Sequence, residues 1–260
     1  MPRFRALSAA LVLSLAPAAG HAGDAALHAQ LERIAGAHVF FAHQSVGANI
    51  LSGLGRIASA EGVPVAIDQM EVPENGDPRR KLREFERALA ARGDVDVALL
   101  KFCYVDVGPD TDAAALFEQY RETLRRLQLR HPHTVFVHVT LPLTREQVGL
   151  KALAKRIAGR HPYGTVENLR REEYNALLRS AYLGREPLFD LARVESLAPD
   201  GRPSRVTWQG RTAPALAPEY TEDGGHLNAE GSARAAREFV AVLASAVKNR
   251  TPVQSASTAR

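Results

Sequence analysis

Short apolar runs alternate along the chain with longer stretches in which apolar residues recur three and four positions apart. The runs are typical of strands buried on both faces of a parallel sheet, and the longer period is that of amphipathic helices. The predicted strands lie at residues 38–42, 63–67, 95–102, 134–139 and 188–191. The predicted helices lie at residues 25–34, 46–60, 79–92, 113–130, 167–182 and 229–247.

This alternation predicts an α/β fold in which helices cover both faces of a sheet. We expect a three-layer α/β/α sandwich around a five-stranded parallel sheet of the flavodoxin-like type. No internal repeat and no linker rich in glycine, proline or serine divides the chain. Residues 23–248 are therefore predicted to form one domain.

Two segments, 141–164 and 193–221, interrupt the alternation. The first carries four basic residues on a predicted helix, and the second contains the single tryptophan, Trp208. Loops that follow the carboxyl ends of parallel strands build the sites of open α/β sheets, so both segments are expected to wall a substrate pocket. The alternative is that they only decorate the surface.

The N-terminus has the pattern of a signal peptide over residues 1–22. Arg3 and Arg5 precede an apolar stretch, Ala6 to Ala19, that is too short to span a bilayer as a helix, and small residues follow it. The alternative is a buried N-terminal helix. We expect a periplasmic or secreted protein with no stable membrane insertion and with a disordered tail at residues 249–260.

The composition is that of an ordinary globular protein, with 45% hydrophobic and 24% charged residues. The only cysteine, Cys103, excludes an intramolecular disulfide. The net charge of +4 becomes +2 when Arg3 and Arg5 are removed, and no basic run is interleaved with aromatic residues. We therefore expect no nucleic-acid partner and, because no metal-ligand spacing is present, no metal and no cofactor.

Ser45 follows the first predicted strand and begins an amphipathic helix. A hydroxyl in this position is exposed above the sheet edge, next to free N–H groups at the helix N-terminus that can stabilise an oxyanion. Serine is also a favoured helix N-cap, so Ser45 alone predicts a nucleophile only weakly.

Asp223 and His226 lie three residues apart in a turn with two glycines, just before the last predicted helix. In such a turn the carboxylate can reach the imidazole Nδ1, which leaves Nε2 free to accept a proton from a serine. The alternative is a polar turn in which Asn228 caps the final helix. Together with Ser45, the pair has the composition of a hydrolase triad.

The chain resembles the SGNH/GDSL hydrolases in these two motifs and in the order of its elements. That family places its nucleophilic serine directly after the first strand and a D-x-x-H motif before the last helix, which here are Ser45, Asp223 and His226. The resemblance implies a catalytic triad of these residues. It also implies an oxyanion hole that includes the Ser45 N–H and the N–H of Gly76, in the loop after the second strand.

The chain departs from the family pattern in two motifs. The usual Gly-Asp-Ser is His43-Gln44-Ser45, and the Gly-x-Asn-Asp block falls at 103–106, Cys-Tyr-Val-Asp, which lacks the oxyanion asparagine. Asn75 or Asn49 is expected to replace it, with Asn75 favoured. The string His43-Gln44-Ser45-Val46-Gly47 also resembles the nucleophile elbow of α/β-hydrolases, but the missing first glycine argues against that fold.

Three further residues are candidates for substrate binding, and two are expected to be structural. The candidates for substrate binding are His43, Tyr104 and Trp208. The alternative for His43 is that it is only hydrogen-bonded, as is more typical of a histidine at a strand end. Cys103 and His138 are expected to be buried in the core.

The resemblance implies a serine ester hydrolase that forms an acyl-enzyme. An extracytoplasmic location favours a small acyl ester or an acylated glycan as its substrate. The alternatives are an O-acyltransferase that acts on an envelope glycan, and a non-catalytic glycan-binding protein. The sequence indicates neither the substrate nor the oligomeric state.

Overall fold

The computed structural model describes residues 19–72 and 75–249, with side chains from residue 25 onward. The predicted signal peptide lies outside these residues except for 19–22, which form the first turn of a helix. Of the predicted tail, only Asn249 is described. Both segments therefore stay predictions.

Helices make up most of the described chain. In chain order they are α1 (Ala19–Ala35), α2 (Val46–Glu61), α3 (Pro78–Ala90), α4 (Ala113–Arg130), α5 (Leu150–Ile157), α6 (Val166–Tyr182), α7 (Leu191–Ser196) and α8 (Ala229–Lys248). Short 3-10 helices cover Tyr104–Asp106 and Pro218–Tyr220.

A five-stranded parallel sheet is the centre of the fold. Its strands are β1 (Val39–His43), β2 (Asp68–Glu71), β3 (Val97–Leu100), β4 (Val135–Val139) and β5 (Leu188–Phe189). They are arranged in the order β2-β1-β3-β4-β5, with Phe41 of β1 opposite Gln69 of β2 and Leu99 of β3. This order confirms the predicted flavodoxin-like sheet.

The sheet separates two apolar layers, as the sandwich prediction requires. Phe41 packs with α1, α2 and α8 on one face, whereas Phe40 packs with α3, α4 and α6 on the other. Both phenylalanines are completely buried. None of the helices at 19–72 and 75–249 is long and apolar enough to cross a membrane.

The predicted second strand at 63–67 was wrong. The observed β2 begins at Asp68, directly after the end of the predicted strand. Its side chains are alternately half-buried and exposed. Because β2 pairs only with β1, it lies at the sheet edge and does not need a continuous apolar run. Val63 and Ile67 pack against the core without joining the ladder.

The irregular segment predicted at 193–221 contains regular structure. It includes an antiparallel hairpin of β6 (Arg205–Trp208) and β7 (Arg211–Pro214), whose turn residues are Gln209 and Gly210. Both turn residues have positive φ, 48° and 77°, which is the geometry of a two-residue hairpin turn. The polar-Gly dipeptide between two strand-like runs was the signal for this hairpin.

Helices α2 and α8 approach each other closely at Gly53. A Cβ atom on Gly53 would lie 2.3 Å from the carbonyl oxygen of Ser232 and 2.9 Å from the Cβ of Ala236. Gly55, on the same helix, would place its Cβ in open space. An alanine at either position raises helix propensity, but only at Gly53 does it also disturb the packing of α2 against α8. Comparing the two substitutions therefore separates the two effects.

Gly53→Ala is expected to lower the free energy of unfolding by roughly 1–3 kcal/mol, because the methyl group overlaps backbone atoms of α8. Gly55→Ala is the matched control, and it should be neutral or stabilising by up to about 1 kcal/mol. Urea unfolding of the two variants and the wild type measures the difference. Equal effects of the two substitutions would contradict the close packing of α2 against α8.

Candidate active site

Ser45 occupies a strained turn between β1 and α2. Its backbone has φ 55° and ψ −103°, a positive φ that only one other non-glycine residue in the described chain, Gln209, adopts. Holding a non-glycine residue in such a region costs roughly 1–3 kcal/mol, and residues of this kind cluster at functional sites. The turn presents Ser45 directly beyond the carboxyl end of β1.

The turn is tight because Gly47 has no side chain. A Cβ atom there would lie 2.4 Å from the Cβ of His43, so only glycine allows α2 to begin so close to the strand. A strained serine between a strand and a helix is the local geometry that an elbow string predicts. The turn has the backbone geometry of an elbow, and the sheet order confirms that the fold is not the α/β-hydrolase fold, which the sequence argued against.

The Ser45 hydroxyl is covered and free of hydrogen bonds to the described residues. Its Oγ is buried and finds no partner at 19–72 or 75–249. The triad that the resemblance implies would join Ser45 Oγ to His226 Nε2 by a hydrogen bond, and this bond is not formed in the structure.

Asp223 and His226 form the predicted carboxylate–imidazole pair. Asp223 Oδ2 lies 2.6 Å from His226 Nδ1, and Oδ1 accepts the N–H groups of Gly225 at 2.9 Å and His226 at 2.8 Å. The hydrogen bond from the His226 ring, followed by those from the two N–H groups, holds the pKa of Asp223 well below its usual range. An ionised Asp223 fixes the proton on Nδ1 and leaves His226 Nε2 as an acceptor.

Asn49 connects this pair to the serine turn. Its Oδ1 accepts the N–H of Leu227, the residue after His226, at 3.1 Å. Asn49 also lies one helical turn beyond Ser45, where side chains four positions apart are neighbours. The His226 loop is thus docked on the first turn of α2.

The ring of Tyr104 packs against the imidazole of His226. The two rings meet edge to face with centroids 6.0 Å apart. A Cβ on Gly225 would lie 2.9 Å from the Tyr104 hydroxyl, so any other residue at this position would require the Tyr104 ring to shift.

One of the predicted oxyanion donors, the Gly76 N–H, has another partner, and a second, Asn75, is bound through its acceptor oxygen. The Gly76 N–H donates to Asp106 Oδ1 at 2.8 Å, and Asn75 Oδ1 accepts from Lys81 Nζ at 3.1 Å. Within the described residues, no acceptor takes the N–H groups of Ser45 and Val46. These two groups are the backbone donors nearest the serine.

A buried ion pair that the sequence reasoning missed lies beside these donors. Lys81 Nζ is 2.7 Å and 2.9 Å from the two carboxylate oxygens of Asp106, and both side chains are fully buried. Lys81 also donates to Gln44 Oε1 at 3.3 Å, next to Ser45. Asp106 lies in the block that aligns with the family's third motif, but no sequence pattern marked Lys81 as its partner.

Two further titratable groups, Glu195 and Lys101, are buried. Burial raises the pKa of Glu195 to about 8 and lowers that of Lys101 to about 8. Glu195 Oε2 accepts the N–H of Leu143 at 2.6 Å, and Lys101 Nζ donates to the carbonyl of Phe102 at 3.0 Å. Glu195 Oε1 has no partner in the described part of the chain. Glu195 thus holds the segment that follows β4.

A cavity of about 480 Å³ opens beside the Asp223–His226 loop. The first predicted insertion, 141–164, supplies most of its wall, as expected, and Tyr104 lines it too. The lining residues are Tyr104, Thr144, Arg145, Glu146, Gln147, Val148, Lys155, Tyr163, Glu222, Asp223, Gly224 and Gly225.

Two predicted substrate contacts lie elsewhere. His43 is fully buried beneath the serine turn, where its Nε2 lies 3.0 Å from Gln69 Oε1 and burial lowers its pKa. Trp208 stands edge-on to His161 and packs beside Leu169 in a small separate cluster. The second predicted insertion, 193–221, supplies no residue to the cavity wall. Neither His43 nor Trp208 lines this cavity, and their roles in substrate binding stay predictions.

The other two residues that the sequence singled out are structural. Cys103 is buried and unbridged. His138 is enclosed between the hydroxyl of Tyr120, at 2.8 Å, and Glu186 Oε2, at 3.1 Å. No cluster of three or more metal-ligating side chains occurs at 19–72 or 75–249.

Comparison with solved structures shows the fold. A Streptococcus pneumonia protein provisionally assigned as a platelet activating factor matches with a TM-score of 0.52 and 15% identity, over 85% of this chain and 92% of its own. The acetyl xylan esterase AlAXEase matches with a TM-score of 0.51 and 15% identity, over 78% and 98%. No family model and no curated protein matches the sequence. The chain thus shares the α/β/α fold of these two proteins.

The pKa of Glu195 generates a testable pH dependence. The folded state keeps this proton up to about pH 8, whereas the unfolded state releases it near 4.5. Its stabilising contribution is complete below the lower value and is lost as the pH rises towards the higher one. The side chain of Glu195→Gln carries no charge at any pH, so this variant does not lose the contribution. Between about pH 5 and about pH 7.5, the free energy of unfolding of the variant minus that of the wild type should therefore rise by about 1 kcal/mol per pH unit.

Urea unfolding at several pH values measures this gain. Glu122→Gln, at an exposed position on α4, is the matched control, and its difference from the wild type should not change with pH. A constant difference for Glu195→Gln would show that the buried carboxyl has an ordinary pKa.

Proposed function

We propose that this protein is a serine ester hydrolase that uses Ser45 as nucleophile, His226 as general base and Asp223 to orient the imidazole. The observation that carries the proposal is the docking of the Asp223–His226 pair, through Asn49, onto the turn of a strained serine. A polar turn that merely capped α8 would need none of these features, because Asn228 already caps that helix through the N–H of Gly231.

The hydroxyl of Ser45 is suited to this role because it has no competing partner in the described residues. A structural N-cap serine accepts an N–H of its own helix, but Ser45 makes no such bond. Catalytic hydrogen bonds are often loose before substrate binds and tighten in the complex. We therefore expect Ser45 Oγ to reach His226 Nε2 when an ester displaces the cover over the hydroxyl.

The proposed reaction has two steps. Ser45 Oγ attacks the ester carbonyl carbon while His226 Nε2 takes its proton. Collapse of the tetrahedral oxyanion breaks the bond to the alcohol, which leaves with that proton, and Ser45 is acylated. Water then loses a proton to His226 and attacks the acyl group, which releases the carboxylic acid and returns the proton to Ser45.

Donors for the oxyanion come from the first turn of α2. The N–H groups of Ser45 and Val46 have no acceptor among the described residues and lie at the positive end of the helix. Asn49 is the side-chain donor that we now favour over Asn75, because its Oδ1 anchors the residue after His226 and it lies one helical turn beyond Ser45, whereas Asn75 is bound to Lys81. Val105, which stands at the position of the family's asparagine, has no group to donate.

The cavity wall supports an acylated carbohydrate as the substrate. It combines the rings of Tyr104 and Tyr163 with charged and amide side chains, a mixture that suits the apolar faces and hydroxyls of a sugar. One of the proteins with the same fold is named an acetyl xylan esterase, which agrees with this substrate class.

Hydrolysis is favoured over transfer to a second glycan because the His226 side chain is 47% exposed. Transfer requires that water be excluded from the acyl-enzyme. A non-catalytic glycan-binding protein would not need the Asp223–His226 geometry.

A fluorophosphonate probe is expected to label the wild type at Ser45. Ser45→Ala should abolish the labelling and lower turnover of an activated acetyl ester by about four to six powers of ten. Ser52→Ala is the matched control, since Ser52 is an exposed serine two turns along the same helix, and it should label fully. Wild-type protein that neither labels nor turns over any acyl ester would favour the non-catalytic function.

The oxyanion donor can be tested without disturbing the loop. Asn49→Asp keeps the acceptor for the Leu227 N–H but removes the Nδ2 donor, so kcat should fall about 100- to 1000-fold with little change in KM. Asn75→Asp makes the same chemical change and keeps the acceptor for Lys81, so its activity should stay within a fewfold of the wild type. Full activity in Asn49→Asp, or the larger loss in Asn75→Asp, rules out the Asn49 assignment.

A further inference from the structure

Exposed hydrophobic side chains are concentrated in the insertion beside the cavity. Within the described residues, eight large hydrophobic side chains are exposed, and five of these lie between 148 and 163. They are Val148, Leu150, Leu153, Ile157 and Tyr163. Soluble surfaces carry scattered apolar residues, but a contiguous group of this kind marks an interaction site.

Three of these residues form a stripe along α5 that faces away from the protein. Leu150, Leu153 and Ile157 are spaced three and four apart and are 85%, 54% and 79% exposed. Ala152, the buried residue of α5, lies roughly opposite them at about 100° per residue. The helix therefore rests on the body through its small side and directs its apolar side outward.

The segment that carries the stripe has charged residues of one sign only. The sequence from 147 to 166 contains no acidic residue, and it contains Lys151, Lys155, Arg156 and Arg160. Arg156 is paired with Glu146, and Lys155 donates to Gln147. Lys151 and Arg160 are both exposed, and they leave a positive field around the stripe.

We propose that α5 docks on an anionic lipid surface, with Leu150, Leu153 and Ile157 inserted at the interface and Lys151 and Arg160 near the headgroups. A short helix with one outward apolar side and basic flanks lies in the plane of such a surface. A second copy of the chain is the poorer occupant, because a symmetric contact would bring two basic segments together. Docking there would place the cavity, which Val148 and Lys155 line, close to the lipid surface.

Vesicle co-sedimentation tests the proposal with the full chain. The wild type should bind vesicles of phosphatidylglycerol mixed with phosphatidylcholine, bind pure phosphatidylcholine vesicles much more weakly, and release as salt rises. Leu150→Ser/Leu153→Ser/Ile157→Ser should lower the partition coefficient about tenfold or more. Lys151→Gln/Arg160→Gln should lower it about fivefold for each charge removed.

Leu129→Ser/Leu183→Ser is the matched control. These two leucines are 77% and 61% exposed but lie on other parts of the surface, so their replacement should leave binding unchanged. Equal losses in the control and the stripe variant would show that the effect is unspecific. Because every substituted side chain is exposed, the thermal unfolding midpoints of the variants should match that of the wild type.

Other results overturn the proposal directly. No binding by the wild type, or equal binding to vesicles without anionic lipid, excludes an anionic surface as the occupant. Sedimentation velocity that shows a dimer, lost in the stripe variant, assigns the stripe to a second copy instead. Ser45→Ala should bind vesicles like the wild type, so a failure of the proposed hydrolase activity and a failure of lipid docking are distinguishable.

Discussion

The buried ion pair of Lys81 and Asp106 is the interaction on which the geometry of the candidate site depends. Both side chains are fully buried, so each charge needs the other and several hydrogen bonds besides. Lys81 donates to Gln44 and Asn75, and Asp106 accepts the N–H groups of Gly76 and Cys103. These partners come from the turn after β1, the loop after β2 and the turn after β3. One charged pair thus fixes three segments at the carboxyl edge of the sheet.

Helices and strands whose bounds are set by their own apolar pattern and caps could be predicted from the sequence. Helix α4 begins at Ala113 and ends at Arg130, as predicted, because its apolar face packs on the sheet throughout and Asp112 caps it. The second strand could not be located in the same way, because an edge strand is set by hydrogen bonds to its neighbour. Residues 63–67 have the more apolar side chains, but residues 68–71 pair with β1.

Within the site, contacts between residues close in sequence could likewise be predicted, whereas contacts between separate elements could not. Asp223 and His226 are three residues apart, so a local turn decides their contact and the sequence could indicate it. The partners of Gly76 and Asn75 are decided by Asp106 and Lys81, which reach the edge from separate elements. A free Gly76 N–H was therefore expected from the motif alone, whereas the fold assigns that group to a carboxylate.

The contacts around the serine turn also explain how the strained backbone conformation of Ser45 persists. A positive φ at a serine relaxes unless its surroundings prevent it. Here the strand side is held by the contact of Gly47 with His43, Gln44 is held by Lys81, and the helix side is held by Asn49 through Leu227. The first and third of these contacts act on backbone or on a short side chain, and the Lys81 side chain that holds Gln44 is itself fixed by its ion pair with Asp106. The hydroxyl of Ser45 consequently has no fixed partner in the described structure, like the N–H groups of Ser45 and Val46, and it lies where the His226 loop is anchored.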